Sequence, residues 1–350
     1  MRTHPIDHQL YNKRLLKIVN NLPCLIVNPL NRYYFTGFFS SSGYLLIANR
    51  NTKLLLVDAR YYEKALKEID KSIKVILIKN PDDIYIALKR LHIKRIYLET
   101  DFLSYSFIES FKRKMRYIKI LSINDKITEL RSIKDRYEIS QIKKAVSVAK
   151  EVYKIIRKKI RTNVKENEIS AFIKIETIRK EAEPAFEPIV AFSKNTSIPH
   201  YTSSNTILKD NMAVLVDFGV KYNHYSCDIT RSFWYGDKID SFYKEIYNKV
   251  LTVKNNITAY IDDKLTFKKV YENAREMFGE YKDNFLHLLG HSIGLEVHEA
   301  PSFRSDTLIK KENVFTIEPG LYFKDKFGVR IEDTVHYDGE KIINLTSGVI

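Results

Sequence analysis

The sequence predicts a two-domain α+β protein, in which a smaller α/β domain is followed by a larger domain of strands and helices. Three observations support this prediction. The chain has 350 residues, which suits two domains at about 100–200 residues each. Short apolar runs alternate with helical segments up to residue 124, and a long amphipathic helix begins soon afterwards. We therefore predict domains of residues 1–126 and 127–350.

Short apolar runs bounded by turn or charged residues mark the strands of the first domain. Helical segments are predicted between them at 61–69 and 81–91. Alternation of this kind favours an α/β sheet. The predicted strands are 25–27, 44–47, 54–57, 75–78 and 96–98.

An apolar stripe at three- and four-residue steps predicts a long amphipathic helix at the start of the second domain. Asp135 is its predicted N-cap, with Glu138 three residues later completing a capping box. Further helices are predicted at 167–182, 239–260 and 265–280, and strands at 212–220, 226–235, 314–318 and 329–337. The stripe consists of Ile139, Ile142, Val146, Ala149, Val152 and Ile156.

Composition excludes several classes of protein. Two cysteines, Cys24 and Cys227, are too few for a disulfide framework or a cysteine metal cage. No apolar run approaches the roughly 18 residues of a membrane span, and the first five residues lack a signal-peptide core. The net charge of +15 is spread along the chain rather than clustered. We expect a cytoplasmic protein without membrane or nucleic-acid partners.

Four acidic residues occur on or beside predicted strands of the second domain: Asp217, Asp228, Glu318 and Glu332. A carboxylate in an apolar strand is costly to bury unless it is paired or bound to a metal. If 212–220 and 226–235 form a hairpin, Asp217 and Asp228 can face one cavity. Converging carboxylates repel one another unless a cation lies between them, so the set suggests a metal site.

A histidine-rich segment, 287–298, offers nitrogen ligands. It contains His287, His291 and His298, three of the nine histidines in the chain. Gly290 and Gly294 argue against a regular helix here, because glycine inside a helix costs about 1 kcal/mol. We take His291 as the proposed ligand.

Five short motifs follow one another along the second domain: Val216-Asp217-Phe218-Gly219, Asp228-Ile229-Thr230-Arg231, Gly290-His291, Glu318-Pro319-Gly320 and Arg330-Ile331-Glu332-Asp333. In these motifs the chain resembles the pita-bread metallopeptidases, the family of methionine aminopeptidase, aminopeptidase P and prolidase. The resemblance extends into the first domain through 28–37 and 57–60, which indicates the Xaa-Pro peptidase branch with a creatinase-like N-terminal domain. It implies a pseudo-symmetric antiparallel sheet flanked by helices in the second domain.

The resemblance also implies the roles of individual residues. Asp217, Asp228, His291, Glu318 and Glu332 would hold two divalent ions, with Asp228 and Glu332 bridging them. A mostly oxygen ligand set suits Mn²⁺ and tolerates Co²⁺, Fe²⁺ or Zn²⁺. The paired ions would hold a bridging hydroxide that attacks the peptide bond, with Glu318 as general base.

Further residues are implied to act in the substrate cleft. His200 and His298 would stabilise the oxyanion or protonate the leaving nitrogen. His287 would line the prolyl site, and Arg330 would also contact the substrate. By strand alternation, Thr230 shares the face of Asp228 and Arg330 that of Glu332, so both are expected to orient ligands. The expected substrates are short proline-containing peptides, and a homodimer is expected.

Some positions depart from relatives in the family. Ser193 and Ser292 replace frequent glycines, and Arg304 is not cleanly aligned with the arginine that binds the dipeptide carboxylate in some prolidases. Dipeptidase and aminopeptidase specificity therefore both stay open. Two other functions stay open as well: a creatinase-like hydrolase without metal, and a non-catalytic peptide-binding protein.

Overall fold

The computed structural model describes residues 8–348, apart from positions 19 and 21. The chain divides into two compact units between Leu130 and Arg131, whereas the sequence analysis placed the boundary after residue 126. The first five residues, on which the expected lack of a signal peptide rested, lie outside the described residues. Within the described part of the chain, no helix is long and apolar enough to cross a membrane.

The first unit is built on a six-stranded mixed sheet. Its strands are β1 (Cys24–Ile26), β2 (Tyr44–Ile47), β3 (Lys53–Val57), β4 (Lys74–Leu77), β5 (Arg95–Leu98) and β6 (Lys119–Ser122), in the spatial order β4-β3-β2-β1-β5-β6. The central pairs β1–β2 and β2–β3 are antiparallel, and the outer pairs are parallel. The five strands predicted from sequence are confirmed to within one residue; β6 was missed.

The described residues of this unit also form six helices, of which α3 and α4 were predicted from the sequence. The missed helix α2 had a clear local signal: Asn28 accepts hydrogen bonds from the N–H groups of Leu30 and Asn31, proline follows it, and Gly37 ends the helix in the left-handed region. Most of its residues are buried, so no polar face marked the helical period. The helices are α1 (His8–Lys17), α2 (Pro29–Thr36), α3 (Ala59–Glu68), α4 (Asp83–Arg90), α5 (Tyr105–Lys114) and α6 (Asn124–Ser132).

The second unit combines antiparallel sheets with four long helices, α7 (Arg136–Lys159), α8 (Glu166–Arg179), α9 (Ser241–Tyr260) and α10 (Phe267–Met277). The capping box of Asp135 and Glu138 is confirmed, and every residue of the predicted apolar stripe is buried. The strands are β7 (Glu183–Pro184), β8 (Ile189–Phe192), β9 (Met212–Tyr222), β10 (Tyr225–Tyr235), β11 (His291–Ser292), β12 (Glu299–Ser302), β13 (Val314–Ile317), β14 (Gly320–Phe323), β15 (Phe327–Arg330), β16 (Asp333–Tyr337) and β17 (Ile342–Asn344).

Three sheets carry these strands. One has β10-β9-β7, with β8 also pairing with β9; one has the order β12-β11-β13-β16-β17; and β14 pairs with β15. The predicted hairpin is confirmed, because β9 and β10 pair along their whole length. Helices α9 and α10 contribute Val250, Phe267 and Val270 to a core shared with Phe315 and Val329.

The predicted strand 329–337 is wrong as a single element. It divides into β15, which pairs with β14, and β16, which pairs with β13, and Glu332 lies between the two. Glu332 instead donates its backbone N–H to the carbonyl of Thr230, at 3.1 Å. Strand alternation therefore does not relate Arg330 to Glu332.

Candidate metal centre

The β9–β10 hairpin brings the first two acidic residues to one face. Thr230 lies directly opposite Asp217 in the register, so their side chains share a face, and Asp228 lies two residues from Thr230 on that same face. Both aspartates are buried. Cys227 points to the other side and is buried, and burial raises the pKa of its thiol to about 12.

His291 begins a short strand rather than lying on a helix, as the flanking glycines indicated. Its backbone N–H donates to Thr316 Oγ1 at 3.1 Å. A Cβ added at Gly290 would lie 2.1 Å from the carbonyl oxygen of Thr316. Only glycine therefore lets the segment approach β13 closely enough to bring His291 to the aspartates.

Replacing Gly290 with alanine should lower the free energy of unfolding by about 1–3 kcal/mol, because the added methyl forces β11 away from β13. Chemical denaturation of the metal-free protein measures this change. Gly279→Asn is the matched control: Gly279 has φ of 63° and no atom within 4 Å of a Cβ, and asparagine tolerates that conformation. Equal stabilities of the two variants would contradict the prediction.

Three of the four predicted carboxylate ligands lie close to His291. Its Nε2 lies 3.7 Å from Asp228 Oδ2, 3.8 Å from Glu318 Oε1 and 3.9 Å from Glu332 Oε1. Asp228, His291 and Glu332 each offer a ligand atom, and these atoms lie within 4.8 Å of one another. Such spacing allows several side chains to contact one ion.

In two of the carboxylates, one oxygen accepts a side-chain hydrogen bond and the other accepts none from the described residues. Thr230 Oγ1 donates to Glu332 Oε2 at 2.7 Å, and Arg330 Nη2 donates to Asp217 Oδ2 at 2.5 Å. The other oxygens, Glu332 Oε1 and Asp217 Oδ1, are buried without a hydrogen-bond partner among the described residues. Buried polar atoms are nearly always paired, so these oxygens fit metal ligands.

The electrostatics of the cluster also fit a cation. Burial, together with the neighbouring carboxylates, raises the pKa of Asp228 and of Glu318 well above their usual range, and raises that of Glu332 to about 8. Burial, with a smaller contribution from His298, lowers the pKa of His291 to about 3. The imidazole is therefore neutral and able to bind a metal, while the carboxylates need positive charge to ionise together.

A chain of buried polar groups runs beside the cluster. Arg330 Nη1 donates to Tyr322 Oη at 2.7 Å, and Tyr322 Oη contacts His287 Nε2 at 2.8 Å. Arg330 Nε donates to Thr230 Oγ1 at 3.2 Å. Burial and the nearby Arg330 lower the pKa of His287 to about 4, so this histidine is neutral. Tyr322 was not predicted as part of the site, because a tyrosine on a strand gives no signal of its hydrogen-bond partners.

Two more predicted histidines lie near the cluster. The ring of His298 packs against that of His291, with centroids 4.2 Å apart and an interplanar angle of 47°. Burial lowers the pKa of His298, and the neighbouring His200 lowers it further. Both His200 and His298 are exposed. His287 and His298 lie beside predicted ligands, and His200 lies near enough to lower the pKa of both.

The departures noted in the sequence have structural explanations. Ser193 adopts a positive φ of 53°, a conformation that favours glycine. Ser292 is buried and donates to the carbonyl of Pro301 at 2.8 Å. Arg304 is exposed on the turn after β12.

Comparison with known proteins defines the class of protein to which this fold and cluster correspond. The model of metallopeptidase family M24 matches residues 140–338, and that of the creatinase/prolidase N-terminal domain matches residues 24–133. The chain belongs to metallopeptidase family M24, and its buried cluster of carboxylates and histidine is compatible with binding of divalent metal.

Individual relatives cover almost the whole chain. It is 36% identical to the Xaa-Pro dipeptidase of Pyrococcus furiosus over 317 residues, 89% of each chain. The prolidase of Pyrococcus horikoshii superposes with a TM-score of 0.90 at 32% identity, covering 97% of this chain and 100% of that one. The X-Pro aminopeptidase of Thermotoga maritima superposes with a TM-score of 0.88 at 32% identity, covering 96% and 97%.

Proposed function

We propose that this metallopeptidase hydrolyses the Xaa-Pro bond at the N-terminus of short peptides. The observation that carries the proposal is the cluster of four carboxylates and a neutral imidazole beside His200, His287 and His298. The names of the relatives support proline specificity. Because both dipeptidases and aminopeptidases occur among them at similar identity, similarity alone does not decide the substrate length.

The residues that would hold the metal are Asp217, Asp228, His291, Glu318 and Glu332. We propose two ions, since five side chains with up to nine donor atoms exceed what one small cation needs. Mn²⁺ suits this mostly oxygen set, with Co²⁺, Fe²⁺ or Zn²⁺ as substitutes. When bound, such ions polarise the scissile carbonyl and lower the pKa of water toward neutrality.

The remaining chemistry is assigned to protein side chains. Glu318 acts as general base, because the positive charge of bound ions would hold this buried carboxyl group in its ionised form. His298 and His200 contact the scissile group, where they stabilise the oxyanion or deliver a proton to the leaving nitrogen. That proton matters for proline, whose amide nitrogen carries no hydrogen. His287 and Arg330 orient the substrate through their contacts with Tyr322.

A groove next to this chain of contacts supports peptides longer than two residues. Tyr322 lines it together with the exposed apolar side chains Ile198 and Leu286, and its volume is about 540 Å³. Lys194 and Lys324 flank it and favour the carboxylate end of a peptide, although Asp325 also lines it. Comparing the hydrolysis of Ala-Pro with that of Ala-Pro-Ala tests the substrate length.

We further propose that the enzyme is a cytoplasmic homodimer.

The enzyme should cleave Ala-Pro with a kcat/KM at least a hundredfold above that for Ala-Ala, because a rigid proline ring is oriented by a fixed site that a flexible alanine cannot fill. Both substrates are assayed with one Mn²⁺-loaded preparation, and a chelated sample serves as the blank. Equal kcat/KM values for Ala-Pro and Ala-Ala would contradict proline specificity and indicate a general aminopeptidase or dipeptidase. Activity that survives complete chelation would favour the creatinase-like alternative.

A further inference from the structure

Two buried carboxylates follow directly after residues of the site, and each is held by two cations. Glu299, next to His298, accepts from Arg131 Nη2 and from Lys134 Nζ, the latter at 3.2 Å. Asp333, next to Glu332, accepts from Arg231 Nη2 at 2.7 Å and from Lys254 Nζ. We call these groups the Glu299 triad (Glu299, Arg131, Lys134) and the Asp333 triad (Asp333, Arg231, Lys254).

Both triads lie away from solvent. The side chains of Glu299 and Asp333 are 4% and 1% exposed, and that of Lys134 is 0% exposed. Burial alone would raise the pKa of Glu299, but Arg131 and Lys134 outweigh it and bring the pKa to about 2. Because desolvating charges costs several kcal/mol per ion, a buried ion network is a poor source of stability compared with apolar packing. A positional role explains such an arrangement better.

The Glu299 carboxylate organises the loop that presents His298. Its Oε1 accepts the backbone N–H of Glu296 at 3.1 Å. A Cβ at Gly294 would lie within 2.8 Å of the same carboxylate, and Gly294 N–H donates to the carbonyl of Glu296 at 3.0 Å. The chain from 294 to 299 therefore folds around Glu299, and this fixes the position from which His298 reaches the ring of His291.

The Asp333 triad acts on the other side of the cluster. Arg231 Nη1 donates to the backbone carbonyl of Glu332 at 2.5 Å while its Nη2 binds Asp333. Asp333 also accepts from Thr346 Oγ1 and Asn344 Nδ2, each at 2.7 Å. These contacts fix the backbone of Glu332 between its two strands, where no regular sheet pairing does so.

We propose that the two triads position different parts of the site: Glu299, Arg131 and Lys134 set the place of His298, and Asp333, Arg231 and Lys254 set that of Glu332. The role of the Glu299 triad in placing His298 rests on the proposed function. The role of the Asp333 triad in placing Glu332 involves metal binding alone. The two triads should therefore be separable, since the first governs turnover and the second governs metal affinity.

The test compares Lys134→Met with Lys254→Met, because each removes one cation and leaves the carboxylate paired with its arginine. Mn²⁺ affinity is measured by titration calorimetry, kcat and KM are measured with Ala-Pro, and the ring signal of His298 is followed by NMR in the metal-free protein. Lys134→Met should lower kcat tenfold or more, since small misplacements of a reacting group reduce rate steeply. It should shift the His298 signal and change the Kd for Mn²⁺ less than twofold.

Lys254→Met should instead weaken Mn²⁺ binding tenfold or more, the size expected when a group supporting a ligand is lost, and leave the His298 signal in place. Lys134→Arg, which keeps the charge, should restore most of the kcat. If Lys134→Met does not fold, Glu296→Gln removes the partly exposed partner of Arg131, 2.7 Å away, and should shift the same signal with a smaller loss of kcat.

Equal losses of kcat and metal affinity in the two lysine variants would overturn the proposal, as would a His298 signal unchanged in every folded variant of the Glu299 triad. Wild-type protein that binds Mn²⁺ but cleaves neither Ala-Pro nor Ala-Pro-Ala would refute the proposed function instead. In that case the NMR and calorimetric results still decide the positional roles.

Discussion

Replacing Glu332 with glutamine should abolish hydrolysis of Ala-Pro and weaken Mn²⁺ binding at least tenfold. The amide keeps the shape of the side chain but removes the negative charge at Oε1. This buried oxygen has no hydrogen-bond partner in the described part of the chain, and we assign it to the metal. Thr230 can still donate to the remaining carbonyl oxygen, so the local structure should persist. Titration calorimetry and a turnover assay at saturating Mn²⁺ measure the two effects.

The same variant distinguishes loss of metal from loss of fold. Removing one of four crowded carboxylates relieves repulsion, so the metal-free variant should unfold at the same temperature as the wild type or at a higher one. Added Mn²⁺ should stabilise the variant less than it stabilises the wild type, because the stabilisation that a ligand provides depends on its affinity for the folded protein. Glu340→Gln, at an exposed position, is the matched control and should behave as wild type. Full activity with normal metal content in Glu332→Gln would rule out the assigned role.

Replacing Arg330 with methionine should lower the free energy of unfolding of the metal-free protein by about 3–5 kcal/mol. Arg330 is a buried cation among the carboxylates, and it donates to Asp217 Oδ2 and to Tyr322 Oη. Removing one partner of a buried ion pair leaves an uncompensated charge, which costs about this much. Denaturant unfolding in the presence of a chelator measures the change.

Mn²⁺ should recover part of the stability lost in Arg330→Met, because a bound cation supplies positive charge close to Asp217. Arg330→Lys should remain less stable than wild type, since an ammonium group cannot reach Thr230, Tyr322 and Asp217 in the same planar geometry. Arg304→Met, at an exposed arginine, should change stability by no more than about 0.5 kcal/mol. An unfolding midpoint of Arg330→Met equal to that of Arg304→Met would show that the buried arginine is not needed.

The sequence predicted well those features that depend on neighbouring residues. The apolar stripe from Ile139 to Ile156 and the Asp135–Glu138 box predicted helix α7, because helical periodicity and capping are local. The strands carrying Asp217 and Asp228 were predicted at 212–220 and 226–235, and the structure pairs them in the hairpin that the sequence had left as a condition. Helix α2 was missed although Asn28 and Gly37 mark its ends, because burial removed the polar face that reveals the helical period.

The metal cluster was predicted by a different argument. Four carboxylates in apolar surroundings need a cation wherever they meet, and the family motifs supplied their order along the chain. The structure supports convergence of these residues around His291. The position of Glu332 could not be derived from alternation, because the predicted strand breaks at this residue and its two halves join different sheets.

By itself, then, the sequence determined the local elements and the chemical types gathered at the site, because both are recorded in short stretches of residues. Only the tertiary structure decided which distant groups meet there. Lys134 and Glu299 are 165 residues apart, and Arg330 and Asp217 are 113 apart. Such pairs leave no periodic signal, since they form only after the sheets and helices pack. The free energy of burying their charges then depends on partners that the fold supplies.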